Sequence, residues 1–356
     1  MASRLKIALL FGGRSGEHEV SVRSAESVAK GLSSRFDVLP VLIDHGGRWW
    51  LQAQGGTVAP TGGTPVFVVP SPEDKGALRK LDDAQVAARP DVYFPVLHGT
   101  YGEDGTIQGL LELAGVPFVG SGTAASAGAM DKVLMKALFS AAGLPQAGYR
   151  VLLARDRARA AEIIAPLGLP VFVKPANLGS SVGVSKVKDA GSLGAALDLA
   201  FAYDRKVVVE AAVPGAREIE IAVLGNDDPQ ASLPGEIIPD REFYDYDSKY
   251  SADSKTELKI PAPLDAGATE EVRRVAIDVF RSVDASGYGR VDFLMEKATG
   301  KLYVNEINTI PGFTSISMFP KLWGATGLAY DELLGRLVQL GLDRHKERAS
   351  LKTDYA

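Results

Sequence analysis

Apolar positions along this chain switch repeatedly between a strand period and a helix period. A strand is read at 6–11, where the short apolar run Ile7-Ala8-Leu9-Leu10-Phe11 ends in Gly12-Gly13. Beyond that turn, Val20, Val22, Ala25, Val28, Ala29 and Leu32 recur at helical spacing. Strands at 38–43 and 91–97 follow, then a helix at about 107–114. Such strand–helix alternation implies a parallel α/β sheet. From about 45 to 85, Gly55-Gly56, Pro60, Gly62-Gly63 and Pro65 interrupt the pattern. This stretch reads as an insertion of peripheral hairpins with no chemistry of its own.

Small residues at Val119-Gly120-Ser121-Gly122 mark a boundary. The next block predicts a helix at 131–142, a strand at 149–153, a helix at 156–166 and a strand at 171–174. A hairpin at 175–187, a helix at 190–201 and a strand at 206–210 complete it. Pro214-Gly215 punctuates the chain again. Strands at 217–224 and 233–238, a polar Tyr/Asp-rich loop at 240–256, a helix at 268–285, strands at 288–295 and 301–308, and a helix at 328–341 follow. The expected division is 1–120, 121–213 and 214–356, without internal repeats or low-complexity tracts.

Composition narrows the function classes. A net charge of −5 and a pI near 5.6 argue against a nucleic-acid surface. The absence of cysteine excludes disulfides, thiolate metal sites and a thiol nucleophile. Arg4 and Lys6 before the first apolar run are faintly like a signal peptide, but the run is shorter than a signal core and a first strand fits it better. No apolar stretch approaches the roughly 18 residues of a membrane helix. The expectation is a soluble, cytoplasmic protein.

Four places carry candidate chemistry. Arg290 and Asp292 fall on one face of the 288–295 strand, since side chains alternate with period two. Val304, Glu306 and Asn308 are expected on one face of the next, so that antiparallel pairing sets Asp292 opposite Glu306 and Asn308. Two carboxylates and a carboxamide are hard oxygen donors that suit Mg²⁺ (or Mn²⁺) completed by phosphates. Alone, the same residues read equally as a solvated strand face, although the apolar neighbours Val291, Phe293 and Ile307 count against that. The second place is Lys174 followed by Gly179-Ser180-Ser181-Val182-Gly183. Glycines let backbone N–H groups approach phosphate oxygens, serines add donors and the lysine is a point cation. The segment is not the G-x-x-x-x-G-K-[ST] loop, and by itself it reads equally as a Gly/Ser hairpin. Lys132 is a further phosphate candidate or an ordinary helix lysine.

The third place is the apolar strand 207–209, which runs into Glu210, Ala211 and Val213. Its backbone can read adenine, with a carboxylate for the exocyclic amine. Glu218 on the next strand can reach ribose hydroxyls, and either glutamate is otherwise a surface charge. Finally, Gly12-Gly13-Arg14-Ser15-Gly16 opens a helix whose N-terminus attracts anions, without matching G-x-G-x-x-G. Glu17 can hold an ammonium group. His98 and Glu103 lie at the carboxyl end of a strand, where α/β sheets place ligands. The Gly312 N–H can approach a reacting carbonyl. Consecutive residues of Glu17-His18-Glu19 point different ways on a helix, which excludes a metal cluster there.

Six segments in order resemble the D-alanine–D-alanine ligases of the ATP-grasp superfamily. They are Gly-Glu-His-Glu-Val-Ser at 16–21, His-Gly-x-x-Gly-Glu-Asp-Gly at 98–105, Met-Asp-Lys at 130–132, Gly-Ser-Ser-Val-Gly at 179–183, Tyr-Asp-Tyr-x-x-Lys-Tyr at 244–250 and Asn-Glu-Ile-Asn-Thr-x-Pro-Gly at 305–312. The resemblance spans residue 5 to about 340. The insertion at 45–85 looks like that of longer members, and Ala211 departs from shorter members that carry lysine.

The resemblance implies a three-lobed ATP-grasp fold, α/β and α+β, with an N-terminal parallel-sheet domain. It implies that a D-alanine carboxylate attacks the γ-phosphate of ATP and that a second D-alanine amine attacks the resulting acyl phosphate. ADP, phosphate and D-alanyl-D-alanine for peptidoglycan result. By the same resemblance Glu17 and His98 position the first amino acid, Arg290 and the Gly312 N–H stabilise the oxyanion, and Ser317 binds the second carboxylate. Glu17, Ser180 and Tyr250 would tie the loop 240–256 over the site. Lys132, Lys174, Ser181, Glu210, Ala211, Val213, Glu218 and Lys249 would bind ATP, and Asp292, Glu306 and Asn308 the metal. A homodimer is implied. The alternatives are a D-alanine–D-lactate or D-alanine–D-serine ligase, or a non-catalytic nucleotide sensor. The complete set Glu17, Arg290, Asp292, Glu306 and Asn308 counts against the sensor.

Overall fold

The computed structural model describes residues 4–55, 58–239, 256–314 and 316–352, whose strands form three sheets. In the first, β1 (Lys6–Gly12) pairs in parallel with β2 (Asp37–Ile43) and with β7 (Val92–Pro95). Alternate residues of β1 enter different cores: Ile7, Leu9 and Phe11 face one, Ala8 and Leu10 the other. Helix α1 (His18–Leu32) covers the first face, and α2 (Thr106–Leu113) the second.

The insertion continues this sheet instead of standing beside it. β3 (Trp49–Leu51), β4 (Thr64–Val68), β5 (Leu78–Lys80) and β6 (Val86–Ala88) add on beyond β2, each antiparallel to its neighbour. The sheet is therefore mixed, not wholly parallel. The turn between β2 and β3 is short, and only antiparallel strands can be joined that way.

Two further helices precede the second sheet, α3 (Thr123–Met130) and α4 (Lys132–Ala141). The sequence pattern missed α3 because Thr-Ala-Ala-Ser-Ala-Gly-Ala-Met has little apolar contrast around the helix. The second sheet orders β10 (Ser185–Val187), β9 (Val171–Pro175), β11 (Lys206–Ala211) and β8 (Tyr149–Leu153), all antiparallel. The expected helix at 156–166 is broken. Only α5 (Ala160–Ile164) is α-helical, with 3₁₀ turns on both sides and Pro166, which has no N–H to donate, in the second turn. Helix α6 (Leu193–Tyr203) packs Leu193, Ala196 and Leu197 onto Val171, Val173 and Val207.

The third sheet orders β15 (Glu257–Lys259), β14 (Gly235–Ile238), β12 (Ala216–Gly225), β16 (Gly287–Glu296) and β17 (Leu302–Asn308), with β13 (Gln230–Ala231) pairing β12. Helix α7 (Ala266–Ser282) covers it. An unforeseen helix, α8 (Met318–Ala325), tolerates Pro320 because it sits in the first turn. The last helix, α9 (Tyr330–Ala349), runs longer than the sequence pattern predicts. One core joins the first and third sheets: Phe313 meets Phe94, Tyr288 and Phe319 at ring-centroid distances of 6.2, 5.7 and 5.4 Å.

Candidate active site

Glu17 sits at the N-terminal cap position of α1, but its side chain does not cap the helix. Its carboxylate instead accepts a hydrogen bond from Ser180 of the loop after β9. Glycines make this approach possible. A Cβ at Gly179 would stand 3.1 Å from Glu17 Oε2, and one at Gly99, which has φ +75°, would stand 2.8 Å away. Ser180 and Ser181 both have left-handed backbones, at φ 49° and 59°. Consecutive turns of this kind expose backbone N–H groups to an anion.

Across the third sheet, Glu220 on β12, Asp292 on β16 and Glu306 on β17 occupy one row, and Arg290 pairs with Asn308 in the row beside it. Arg290 compensates these charges. Its Nε and one Nη each donate to Asp292 at 2.7 Å, and its Nε is 3.0 Å from Glu220. Burial disfavours the guanidinium charge, but Asp292 and Glu220 outweigh that and hold its pKa well above the ordinary arginine value. The pairing of Asp292 with Glu306 is as expected from the strands. Val304 is not on their face, however, because a bulge opposite Asp292 and Phe293 leaves Asn305 unpaired and resets the alternation. Val304 and Ile307 enter the core, whereas Asn305 and Glu306 both line a cleft.

Two connected spaces result. A cavity of about 140 Å³ is lined by Glu17, His98, Glu103, Ser180, Arg290, Glu306, Asn308, Gly312 and Ser317. A wider cleft of about 370 Å³ lies between the second and third sheets, lined by Lys132, Lys174, Ser181, Glu210, Ala211, Val213, Glu218 and Asp292. Ser180 and Glu306 belong to both. All the described residues singled out from the sequence thus border one continuous site. Tyr250 and Lys249 lie outside the described residues. Sequence reasoning assigned no role to Glu220, Asn305 or Lys136. Glu220 had a signal, two residues from Glu218 on one strand face. The buried Lys136 had none.

His98 is buried, with Nδ1 3.0 Å from the Ile310 carbonyl and Nε2 3.1 Å from Ser24 Oγ. The carbonyl can only accept, so Nδ1 carries the proton and Nε2 accepts from Ser24. Ser24 Oγ in turn accepts from the Phe313 N–H at 3.3 Å. Burial lowers the His98 pKa and keeps the ring neutral, although Glu17 opposes the shift. His98 therefore borders the cavity with both nitrogens engaged, bracing the 310–313 turn. Glu103 is buried too, accepting from the Gly99 N–H at 2.7 Å through one oxygen while the other has no hydrogen-bond partner among the described residues. Burial, then the Glu17 charge, raises its pKa well above that of an ordinary carboxyl.

Among the described residues no three His, Asp or Glu side chains converge as a metal cluster. Asp292, Glu306 and Asn308 form a partial oxygen set of the kind Mg²⁺ accepts beside phosphate. Asp292 is already bound by Arg290, and the Asn308 amide oxygen accepts from the Ile310 N–H at 2.9 Å. Two carboxylates and an amide oxygen are hard donors, so the chemistry of the set fits such a cation.

Family models for the D-ala D-ala ligase N-terminus and C-terminus match residues 6–121 and 138–339. The chain belongs to the D-alanine–D-alanine ligase family. A D-alanine–D-alanine ligase of Heliobacterium modesticaldum is 51% identical, covering 98% of this chain and 97% of its own. D-alanine–D-alanine ligase A of Bradyrhizobium diazoefficiens is 48% identical over the whole of both chains. Among solved structures, the D-alanine–D-alanine ligase from Coxiella burnetii superposes with a TM-score of 0.85 at 36% identity, covering 98% of this chain and 97% of that one. The VanG D-Ala:D-Ser ligase from Enterococcus faecalis gives 0.85 at 34% identity, covering 95% and 100%. The fold is that of the ATP-grasp ligases, and the protein is an ATP-dependent ligase that joins two D-alanines for peptidoglycan synthesis.

Proposed function

We propose that the 140 Å³ cavity holds the two D-alanines and the 370 Å³ cleft holds ATP, with the reacting carboxylate where they meet. Glu17 would hold the first ammonium group and Ser317 the second carboxylate. The Glu17–Ser180 hydrogen bond supports a role for this pair, with Tyr250, in tying the 240–256 loop over the site. His98 acts on the first amino acid by fixing the 310–313 turn that carries Gly312. Lys132, Lys174, Ser181 and Lys249 would bind the phosphates, and Ala211, Val213, Glu210 and Glu218 the nucleoside. Lobe boundaries near 120 and 213 put the cleft between the second and third lobes.

Asp292, Glu306 and Asn308 would hold Mg²⁺ (or Mn²⁺), which when bound neutralises phosphate charge. Peptide bond formation needs the carboxylate activated, since a carboxylate resists attack by an amine. The acyl phosphate made from ATP supplies that activation. The second amine, once it has lost a proton, adds to the carbonyl, charge develops on the carbonyl oxygen, and phosphate leaves as the intermediate collapses.

The observation that carries this reading is Arg290. Asp292 holds one edge of its guanidinium through Nε and one Nη, Glu220 lies 3.0 Å from Nε, and Arg290 lines the cavity that Gly312 also borders. Preorganised donors of this kind act where charge develops. Lysine cannot reproduce that planar fork. Arg290→Lys is therefore expected to lower kcat by more than about tenfold, or about 1.4 kcal/mol of barrier, with a smaller change in the KM for ATP. Steady-state release of phosphate checks this, and a raised ATP KM with kcat intact would make Arg290 a binding residue only.

The consumption of ATP favours a cytoplasmic enzyme. No helix among the described residues is long and apolar enough to cross a membrane. Assembly as a homodimer rests on the family resemblance, and sedimentation tests it.

A further inference from the structure

Lys136 on α4 is a lysine with no exposed surface. Its Nζ lies 3.3 Å from Glu210 Oε1 and 5.4 Å from the centroid of the Tyr149 ring, without a well-formed hydrogen bond. The other oxygen of Glu210 lies 3.2 Å from Lys174 Nζ, which is also 3.3 Å from Asn305 Oδ1. The carboxylate thus stands between two ammonium groups, one sealed in the interior and one lining the ATP cleft. Burial lowers the Lys136 pKa, and the Glu210 charge opposes this. For Glu210 burial acts upward, but the two lysines outweigh it and hold the carboxyl at about 2. An apolar side chain would fill the same interior space without desolvating a charge, so packing alone does not account for a lysine here.

We propose that Lys136 is a positioning residue for nucleotide binding, anchoring Glu210 so that Lys174 keeps its place for the phosphates of ATP. The inference rests on the reading of the wider cleft as the nucleotide site. Two ammonium groups and one carboxylate make this three-residue cluster net positive, at the edge of a cleft that Glu218, Glu220, Asp292 and Glu306 also line. Without Lys136 the Lys174–Glu210 pair is neutral, and the carboxylate is held by Lys174 alone. A phosphate approaching Lys174 then meets a cancelled charge and a carboxylate that repels it.

The test uses the full chain and measures ADP and adenosine affinity by calorimetry, beside D-alanine KM. The variants are Lys136→Met, Glu210→Gln, the two combined, and Lys174→Ala. Lys136→Met is expected to weaken ADP about tenfold and adenosine less than about twofold, to leave the D-alanine KM unchanged, and to add little in the Glu210→Gln background. Lys136→Gln keeps a donor for Glu210 and supports the same comparison if the methionine variant does not fold; its loss of ADP affinity is expected to be smaller. Equal weakening of ADP and adenosine overturns the proposal, as does an undiminished effect in the Glu210→Gln background or wild-type ADP affinity. Lys174→Ala separates the two readings. If it leaves ADP affinity untouched, the cleft is not the phosphate site. If it weakens ADP while Lys136→Met does not, only the role of Lys136 falls.

Discussion

At the scale of single residues, charge states at this site follow from contacts. Arg290 stays charged in the interior because Asp292 and Glu220 face it, and His98 stays neutral because burial outweighs the nearby Glu17. The His98 shift has a consequence for stability. The unfolded imidazole titrates at its ordinary value of 6.5, whereas the folded ring does so lower. Above 6.5 both states hold a neutral ring and the contribution is complete. As pH falls below 6.5 the unfolded state binds a proton that the folded state refuses, so stability is lost until the folded pKa is passed. The melting temperature of the wild type is therefore expected to fall more steeply from about pH 6.5 down to about 5 than that of His98→Gln. Glutamine can still donate to Ile310 and accept from Ser24, which keeps the turn braced. Parallel melting curves for the two proteins across that range would remove His98 as the titrating group.

At the scale of elements, what places the site is strand register. Alternation along β16 is legible in the sequence, and so is its pairing with β17, because the turn at 297–300 fixes which residues face each other. The bulge at Asn305 is not legible: an extra residue in a strand changes no composition signal, yet it turns Asn305 and Glu306 together toward the cleft while Val304 enters the core. Likewise Glu210 reads as an adenine contact from its place at a strand end, while the two lysines that its oxygens face, Lys136 and Lys174, are not legible there. Lys174 stands 36 positions before Glu210, and Lys136 further still. Neither lysine is a sequence neighbour, so no local pattern announces the cluster. The Glu306 placement carries its own prediction. Removing its carboxylate takes away an oxygen proposed to hold the metal beside the phosphates, so Glu306→Ala is expected to lower turnover by more than about tenfold. The fold should be kept, since the side chain lines a cleft. Near-wild-type turnover of this variant at limiting Mg²⁺ would exclude the assignment.

At the scale of the molecule, the first and third sheets share a core, while the second closes its own core with α6. Phe313 is fully buried in the shared core, against Phe94 from β7, Tyr288 from β16 and Phe319 from α8. A single aromatic residue after Pro311-Gly312 carries no periodic signal, so this central place was not legible in the sequence. The turn before Phe313 carries Gly312, and its backbone is held by Ser24 of α1 and by His98 beyond β7. The proposed oxyanion side of the site is thus built on the seam between two sheets. Phe313→Ala should open a cavity in that seam and destabilise by about 3–5 kcal/mol. Because the core is shared, the loss should not stay local. Hydrogen exchange is expected to quicken in β1 and β16 together, while β9 and β11 keep their wild-type protection. Faster exchange confined to residues beside Phe313, with β1 unchanged, would show that the two sheets do not form one cooperative body.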